Sequence, residues 1–178
     1  NDKVEIRFTN KGGRVYSARL KDYKTHDSLP LILFEGDEAL LDFTLVTATN
    51  RVVNTAGMYF QAIPGNDPNT LTMRLSAGDG RHLDFTYTLS KDDYMVKMDI
   101  KGTGLNGVLS PSTNALDLNW EQKIRQQEKG RKFEDQYAAI YYKFVADDVE
   151  YLSETKNDSK QLSNRLKWIA YKDKFFST

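Results

Sequence analysis

The stretch His82-Leu83-Asp84-Phe85-Thr86-Tyr87-Thr88-Leu89 decides the fold, because every second residue in it is apolar. A period of two is typical of a β-strand that has one face on a core and the other in water. The same alternation occurs before it at residues 71–75, which lead to the turn Gly78-Asp79-Gly80, and after it at residues 94–100. Runs that are joined by short polar turns predict antiparallel neighbours in one sheet.

Outside this stretch, further runs of alternating apolar and polar residues predict roughly ten short strands in all. These runs lie at residues 4–8, 16–20, 41–45, 58–62, 116–124, 140–144 and 149–152. A helical turn is expected near Phe133 and Tyr137, and residues 168–176 are expected to form a strand that runs into a short helix. Strands do not alternate with helices, which argues against a parallel sheet. We therefore predict an all-β fold, a large twisted antiparallel β-sandwich with short helices near the C-terminus.

Length and composition limit the classes of protein to which the chain can belong. Its 178 residues predict a single domain with a full core, spanning 1–178. The 25 basic and 25 acidic residues balance, so no nucleic-acid partner and no broad anionic-lipid surface are expected, which leaves only local basic patches open. The absence of cysteine excludes disulfides, thiolate zinc sites and cysteine nucleophiles. The apolar runs, such as residues 31–34, fall far short of the roughly 18 to 20 residues of a membrane-spanning helix.

The chain has two histidines, His26 and His82, as candidates for chemistry. Neither has a second ligand at helical or hairpin spacing, whereas a catalytic zinc ion usually takes three protein ligands. A serine triad also lacks support, because no Gly-x-Ser-x-Gly motif is present. We therefore interpret both histidines as surface residues.

Pairs of adjacent acids occur at residues 92–93, 134–135 and 147–148. Two facing carboxylates can hydrolyse glycosides, but adjacent residues of a strand point to opposite faces. These pairs are therefore interpreted as turn and surface residues. The sequence predicts no catalytic, cofactor-binding or metal-binding residue, and no cofactor.

The segment at residues 121–132 is strongly basic, with five basic residues and two acids. One interpretation is a contact site for an acidic partner or for lipid headgroups, and the other is a solvated loop. The candidate partner-contact residues are Arg125, Lys129, Arg131 and Lys132.

The last twelve residues, 167–178, combine large aromatic side chains with lysines. Chain ends are usually polar and frayed, so these side chains need a surface to pack against. That surface is either the edge of the sandwich or the headgroup layer of a membrane, and the two are compatible. The candidate residues for membrane-proximal packing are Trp168, Tyr171, Phe175 and Phe176. Trp120, which alternates with Leu116 and Leu118, is predicted to belong to the core.

Several short stretches form an ordered series over nearly the whole chain. They are Asn10-Lys11-Gly12-Gly13-Arg14-Val15, residues 20–24, 30–34, 85–89, 93–94, 120–121 and 141–143, Lys167-Trp168-Ile169-Ala170-Tyr171, and residues 175–176. In this order and spacing they resemble the large periplasmic domain of the YidC membrane insertase family (YidC/Oxa/Alb).

The resemblance implies a fold like that of the galactose mutarotase class and a location on the periplasmic side of the Gram-negative inner membrane. It also implies that the chain is cut from a longer multi-spanning membrane protein, with a transmembrane helix before Asn1 and membrane helices after Thr178. The partners that it implies, through the full-length protein, are the Sec translocon components SecDF and SecYEG and nascent inner-membrane proteins.

Three functions remain as hypotheses. The first is a non-catalytic insertase domain that acts as a docking or scaffolding surface for translocon partners or clients. The second is a carbohydrate-binding or aldose-epimerase-like protein, in which a histidine and a carboxylate would converge in one cleft. The third is a peptide or lipid holder that uses an edge strand or a cleft between the sheets.

Overall fold

The computed structural model describes residues 1–112, 115–146, 148–153 and 155–178. Within these residues it contains thirteen β-strands, two short 3₁₀-helices and one α-helix of five residues. The contacts divide the chain into two compact units. Unit 1 consists of Asn1–Lys24 and Pro30–Lys123, and unit 2 consists of Thr25–Leu29 and Ile124–Thr178. That residues 1–178 form a single domain stays a prediction.

Unit 1 contains ten antiparallel strands. They are β1 (Val4–Thr9), β2 (Arg14–Lys24), β3 (Pro30–Glu35), β4 (Ala39–Val46), β5 (Val52–Asn54), β6 (Gln61–Pro64), β7 (Thr70–Ser76), β8 (His82–Leu89), β9 (Val96–Thr103) and β10 (Asp117–Gln122). The 3₁₀-helices cover Gly36–Glu38 and Thr55–Gly57. The strands form three sheets in the orders β1-β2-β3, β10-β4-β5 and β6-β7-β8-β9.

The core of unit 1 lies between these sheets. Met73 on β7 and Phe85 on β8 are cross-strand partners, and both are fully buried. The ring of Phe43 on β4 lies 5.4 Å from that of Phe85, and the ring of Phe60 lies 4.9 Å from it. Side chains from separate sheets therefore fill one core, which is the packing of a β-sandwich. The predicted all-β antiparallel sandwich is confirmed, with 52% of residues in strands and 6% in helices.

The turn between β1 and β2 is built around two glycines with left-handed backbone angles. Gly12 has a φ of 80° and Gly13 a φ of 62°, a region that glycine adopts at little cost. A Cβ atom on Gly13 would lie 2.7 Å from the ring of Phe60. The phenol of Tyr87 donates a 2.9 Å hydrogen bond to the carbonyl of Gly13. The predicted turn is therefore confirmed, and it packs directly on the core.

Unit 2 is a smaller antiparallel arrangement. Its strands are β11 (Ala139–Phe144), β12 (Val149–Ser153) and β13 (Leu166–Lys172), in the order β12-β11-β13. The short helix α1 (Arg131–Asp135) precedes them and confirms the helical turn expected near Phe133. Tyr142 and Phe144 project from β11 as buried side chains with their ring centroids 5.7 Å apart.

The predicted long strand at residues 116–124 is wrong in its extent and in its burial. Strand β10 covers only Asp117–Gln122, and Leu118 keeps 53% of its surface exposed. The reason is that β10 lies at the edge of its sheet and pairs only with β4. Trp120, predicted to be a core residue, is only half-buried. Alternation indicated the strand correctly but not its position at an edge.

The predicted strand at residues 58–62 is also shorter than expected. Residues Thr55–Gly57 form a 3₁₀-helix, and β6 begins only at Gln61. The side chain of Asn54 accepts a 2.7 Å hydrogen bond from the amide of Ala56, which favours a turn immediately before the predicted strand.

The helix expected after the C-terminal strand is wrong as well. Tyr171 and Thr178 exchange two backbone hydrogen bonds, of 2.9 and 2.8 Å, so the chain folds back as a turn. The carboxylate of Asp173 accepts hydrogen bonds from the amides of Phe175 and Phe176, at 2.7 and 2.5 Å. A side chain that binds the next amides in this way favours a turn over a helix.

Candidate docking surface

The basic segment predicted as a contact site is anchored by a buried carboxylate. Glu134, on α1, is only 4% exposed. Its carboxylate accepts hydrogen bonds from the amide of Gln127, at 2.9 and 3.1 Å, and from that of Glu128, at 3.2 Å. These bonds satisfy the charge of Glu134 and hold the segment against the helix. The sequence analysis placed Glu134 at the surface, and that interpretation is wrong for this residue.

The four predicted partner-contact residues differ in their surroundings. Lys129, Arg131 and Lys132 are exposed, whereas Arg125 is half-buried. The guanidinium of Arg131 lies 3.3 Å from the carboxylate of Asp135, one helical turn along α1. An exposed pair of this kind contributes little to stability, so both side chains can rearrange when a partner binds.

A lysine connects the basic segment to the C-terminal aromatic residues. The ammonium of Lys174 lies 4.5 Å from the ring centroid of Phe133 and 4.7 Å from that of Phe175. Tyr137 adds a third ring, 5.6 Å from Phe133 in an edge-on arrangement. Phe133 and Phe175 are 54% and 53% exposed. We call Lys132, Phe133, Tyr137, Lys174 and Phe175 the basic–aromatic cluster.

The other three aromatic residues of the C-terminal prediction lie outside this cluster. Trp168 is exposed on β13, opposite Lys143 of β11. Tyr171 and Phe176 are half-buried, and Tyr171 takes part in the terminal turn. From the two predicted sets, Lys132 and Phe175 belong to the cluster, and Lys174 contacts both Phe133 and Phe175. Sequence spacing could not indicate the contact between Phe133 and Lys174, because strands β11, β12 and β13 separate α1 from the C-terminus in the chain.

His82 is not the surface residue that the sequence analysis predicted, since its side chain is only 18% exposed. Its Nε2 lies 3.5 Å from a carboxylate oxygen of Asp84. Arg74, the cross-strand partner of Asp84, donates two hydrogen bonds to the same carboxylate at 2.8 and 2.7 Å. His82 and Asp84 lie two residues apart on β8, and Arg74 reaches Asp84 from the neighbouring strand β7, an arrangement that alternation alone did not indicate.

The chemistry of this constellation is that of an ion pair. The Arg74 guanidinium, bound to the Asp84 carboxylate, holds the pKa of Asp84 below its ordinary value. A carboxylate is a weak base when its pKa is lowered and both of its oxygens already accept hydrogen bonds from an arginine. His26 lies in a turn with its Nδ1 3.9 Å from a carboxylate oxygen of Asp27, and it belongs to unit 2, whereas His82 belongs to unit 1.

Among the described residues, no group of three or more histidines or acids is placed to hold a metal ion. In the same part of the chain, no helix is long and apolar enough to cross a bilayer. Asp147, of the acidic pair predicted at residues 147–148, lies outside the described residues.

These observations define a class, namely all-β domains of stacked antiparallel sheets with a basic and aromatic surface. The model of the YidC periplasmic domain family matches residues 1–178, and the chain belongs to that family. The family that the sequence resembled is therefore confirmed.

Relatives named membrane protein insertase YidC cover the whole of this chain. The protein of Parabacteroides distasonis is 68% identical over 178 residues, that of Azobacteroides pseudotrichonymphae 47%, and that of Bacteroides fragilis 44%. The chain spans only 28% to 29% of the length of these relatives. No solved structure matches the chain.

Proposed function

We propose that this chain is the non-catalytic periplasmic domain of a membrane protein insertase, on the periplasmic side of the Gram-negative inner membrane. In this role it serves as a docking surface while the membrane part of the longer protein inserts and folds clients. The proposal is supported by the family membership and by relatives that bear the insertase name.

The docking surface that we propose is the basic segment together with the basic–aromatic cluster. The observation that carries this assignment is the position of Lys174 between the exposed rings of Phe133 and Phe175. Exposed rings around a cation form a surface that is costly to leave in water and ready to meet a partner. The partners proposed are the Sec translocon components SecDF and SecYEG and nascent inner-membrane proteins.

Affinity purification from membranes tests this role. The full-length protein that carries this domain should recover translocon components or nascent membrane proteins. Replacement of Arg125, Arg131 and Lys132 together by glutamate should weaken that recovery, because it reverses the charge of the surface. A matched variant with glutamate at Lys91, Lys97 and Lys101, which are exposed in unit 1, should recover as much as the wild type. Equal recovery by both variants would contradict the proposed surface.

A carbohydrate-binding or aldose-epimerase-like function is the second candidate, and the contact between His82 and Asp84 is the observation that favours it. Addition of an aldose, with anomer exchange followed by NMR, tests it. We expect no acceleration, because Arg74 already binds the carboxylate. Acceleration that disappears in His82→Ala would establish the enzyme and overturn the non-catalytic role.

A further inference from the structure

We propose that the basic–aromatic cluster binds the anionic phospholipid headgroup layer of a membrane. The inference deepens the proposed docking role and rests on it, because it names the chemistry of the surface that the cluster meets. A protein partner at the same cluster is the alternative, and the experiment below decides between them.

The charges in and around the cluster favour an anionic surface as its partner. Glu134 is saturated by backbone amides, Asp135 pairs with Arg131, and Asp173 accepts the amides of Phe175 and Phe176. These carboxylates, which adjoin the cluster in the chain, are thus engaged inside unit 2. Lys132 is exposed and Lys174 is half-buried, and their positive charges complement an anionic layer.

The cluster combines exposed aromatic rings with lysines. Phe133, Tyr137 and Phe175 are all exposed, and the ammonium of Lys174 lies against two of the three rings. Aromatic rings beside lysines are typical of protein segments at the headgroup level, where rings enter the boundary and ammonium groups stay with phosphates.

The type of cation in the cluster favours a lipid surface over a protein surface. Protein interfaces are enriched in arginine and depleted in lysine, because the rigid guanidinium suits a fixed carboxylate. Both cations of the cluster, at positions 132 and 174, are lysines. Mobile, hydrated ammonium groups suit a fluid layer of phosphates better than a fixed acidic surface.

Co-sedimentation of the 178-residue chain with vesicles tests the inference. Vesicles of equal parts phosphatidylcholine and phosphatidylglycerol should bind the chain, and vesicles of phosphatidylcholine alone should bind it far less. Added salt should weaken the binding, because the attraction is screened. Replacement of Lys132 and Lys174 by glutamine should lower the affinity by about five-fold for each lysine removed.

Matched controls come from unit 1. Glutamine at Lys97 and Lys101 should leave vesicle binding unchanged, since these lysines are exposed but have no place in the cluster. Serine at Phe133 and Phe175 should lower binding, whereas serine at Tyr59, which is 74% exposed, should not. All of these positions are on the surface, and near-ultraviolet circular dichroism checks that each variant stays folded.

The results are decisive in either direction. Equal binding to both kinds of vesicle, or equal losses in the cluster variants and the controls, would overturn the inference. No binding of the unaltered chain to phosphatidylglycerol vesicles, with recovery of protein partners from membranes, would overturn the inference and leave the docking role intact. Vesicle binding without recovery of any translocon component or client would support the inference and count against the wider role.

Discussion

The phenol oxygen of Tyr87 lies 2.9 Å from the carbonyl oxygen of Gly13, to which it donates a hydrogen bond, and the two residues are 74 positions apart. Burial raises the pKa of Tyr87, so the phenol keeps its proton at neutral pH. This hydrogen bond connects the turn of the first hairpin to strand β8. It satisfies a buried carbonyl group that would otherwise have no water to bind.

Replacement of Tyr87 by phenylalanine should therefore destabilise the fold. The free energy of unfolding should fall by about 1–3 kcal/mol, because the Gly13 carbonyl loses its partner while it stays buried. Urea denaturation measures the change. Tyr59→Phe is the control, and it should stay within about 0.5 kcal/mol of the wild type because that side chain is in water. Equal effects of the two changes would contradict this account of the turn.

Replacement of Gly13 by alanine should cost more. The residue has a φ of 62°, and the new methyl group would lie 2.7 Å from the Phe60 ring. Backbone strain and overpacking together should lower the free energy of unfolding by about 3 kcal/mol. Gly57→Ala, at a position with nothing within 4 Å, should change it little. A neutral Gly13→Ala would mean that the hairpin turn is not packed as described.

The stability of unit 1 should depend on pH through Asp84. Arg74 lowers the pKa of the Asp84 carboxyl in the folded state. The ionised Asp84 therefore stabilises the fold at pH values above its pKa in the unfolded chain, which is about 4. This stabilisation should be lost as pH falls through the lower folded pKa. Asp84→Asn should remove this part of the pH dependence, and Arg74→Gln should remove most of it. An NMR titration that gives Asp84 an ordinary pKa in the wild type would refute the prediction.

The order of the basic segment should depend on Glu134. Replacement of Glu134 by alanine removes the acceptor of the Gln127 and Glu128 amides. Their hydrogen exchange should accelerate by about ten-fold or more, because a hydrogen bond to a charged group contributes about 1.5–3 kcal/mol. Asp135→Ala, which removes only a surface ion pair, serves as the control. Unchanged exchange at Gln127 would show that another group holds the segment.

The sequence predicted the strands best where both alternation and turn residues were present, as in residues 71–75 and 82–89. It failed at the C-terminus, where the side chain of Asp173 binds the following amides and turns the backbone. Alternation also could not distinguish an edge strand from a central one, which is why Trp120 was expected in the core.

The candidate surface was predictable only in its parts. The basic segment and the aromatic terminus are visible in the sequence, but the contact between Phe133 and Lys174 depends on how unit 2 folds. The burial of Glu134 and His82 had no sequence signal, because each depends on neighbours supplied by the fold. The assignment to a periplasmic domain came from the ordered motifs that resemble the family, because the periodicity of the strands indicates only the fold.

Site-specific photo-crosslinking in intact membranes is the most direct test of the central claim that the basic–aromatic cluster is the docking surface. A photoreactive residue would replace Phe133 in the full-length protein, with Tyr59 in unit 1 as the matched exposed position. We predict crosslinks from position 133 to phospholipid or to components of the insertion machinery, and few from position 59. Crosslinks from position 59 alone, or none from position 133, would contradict the account.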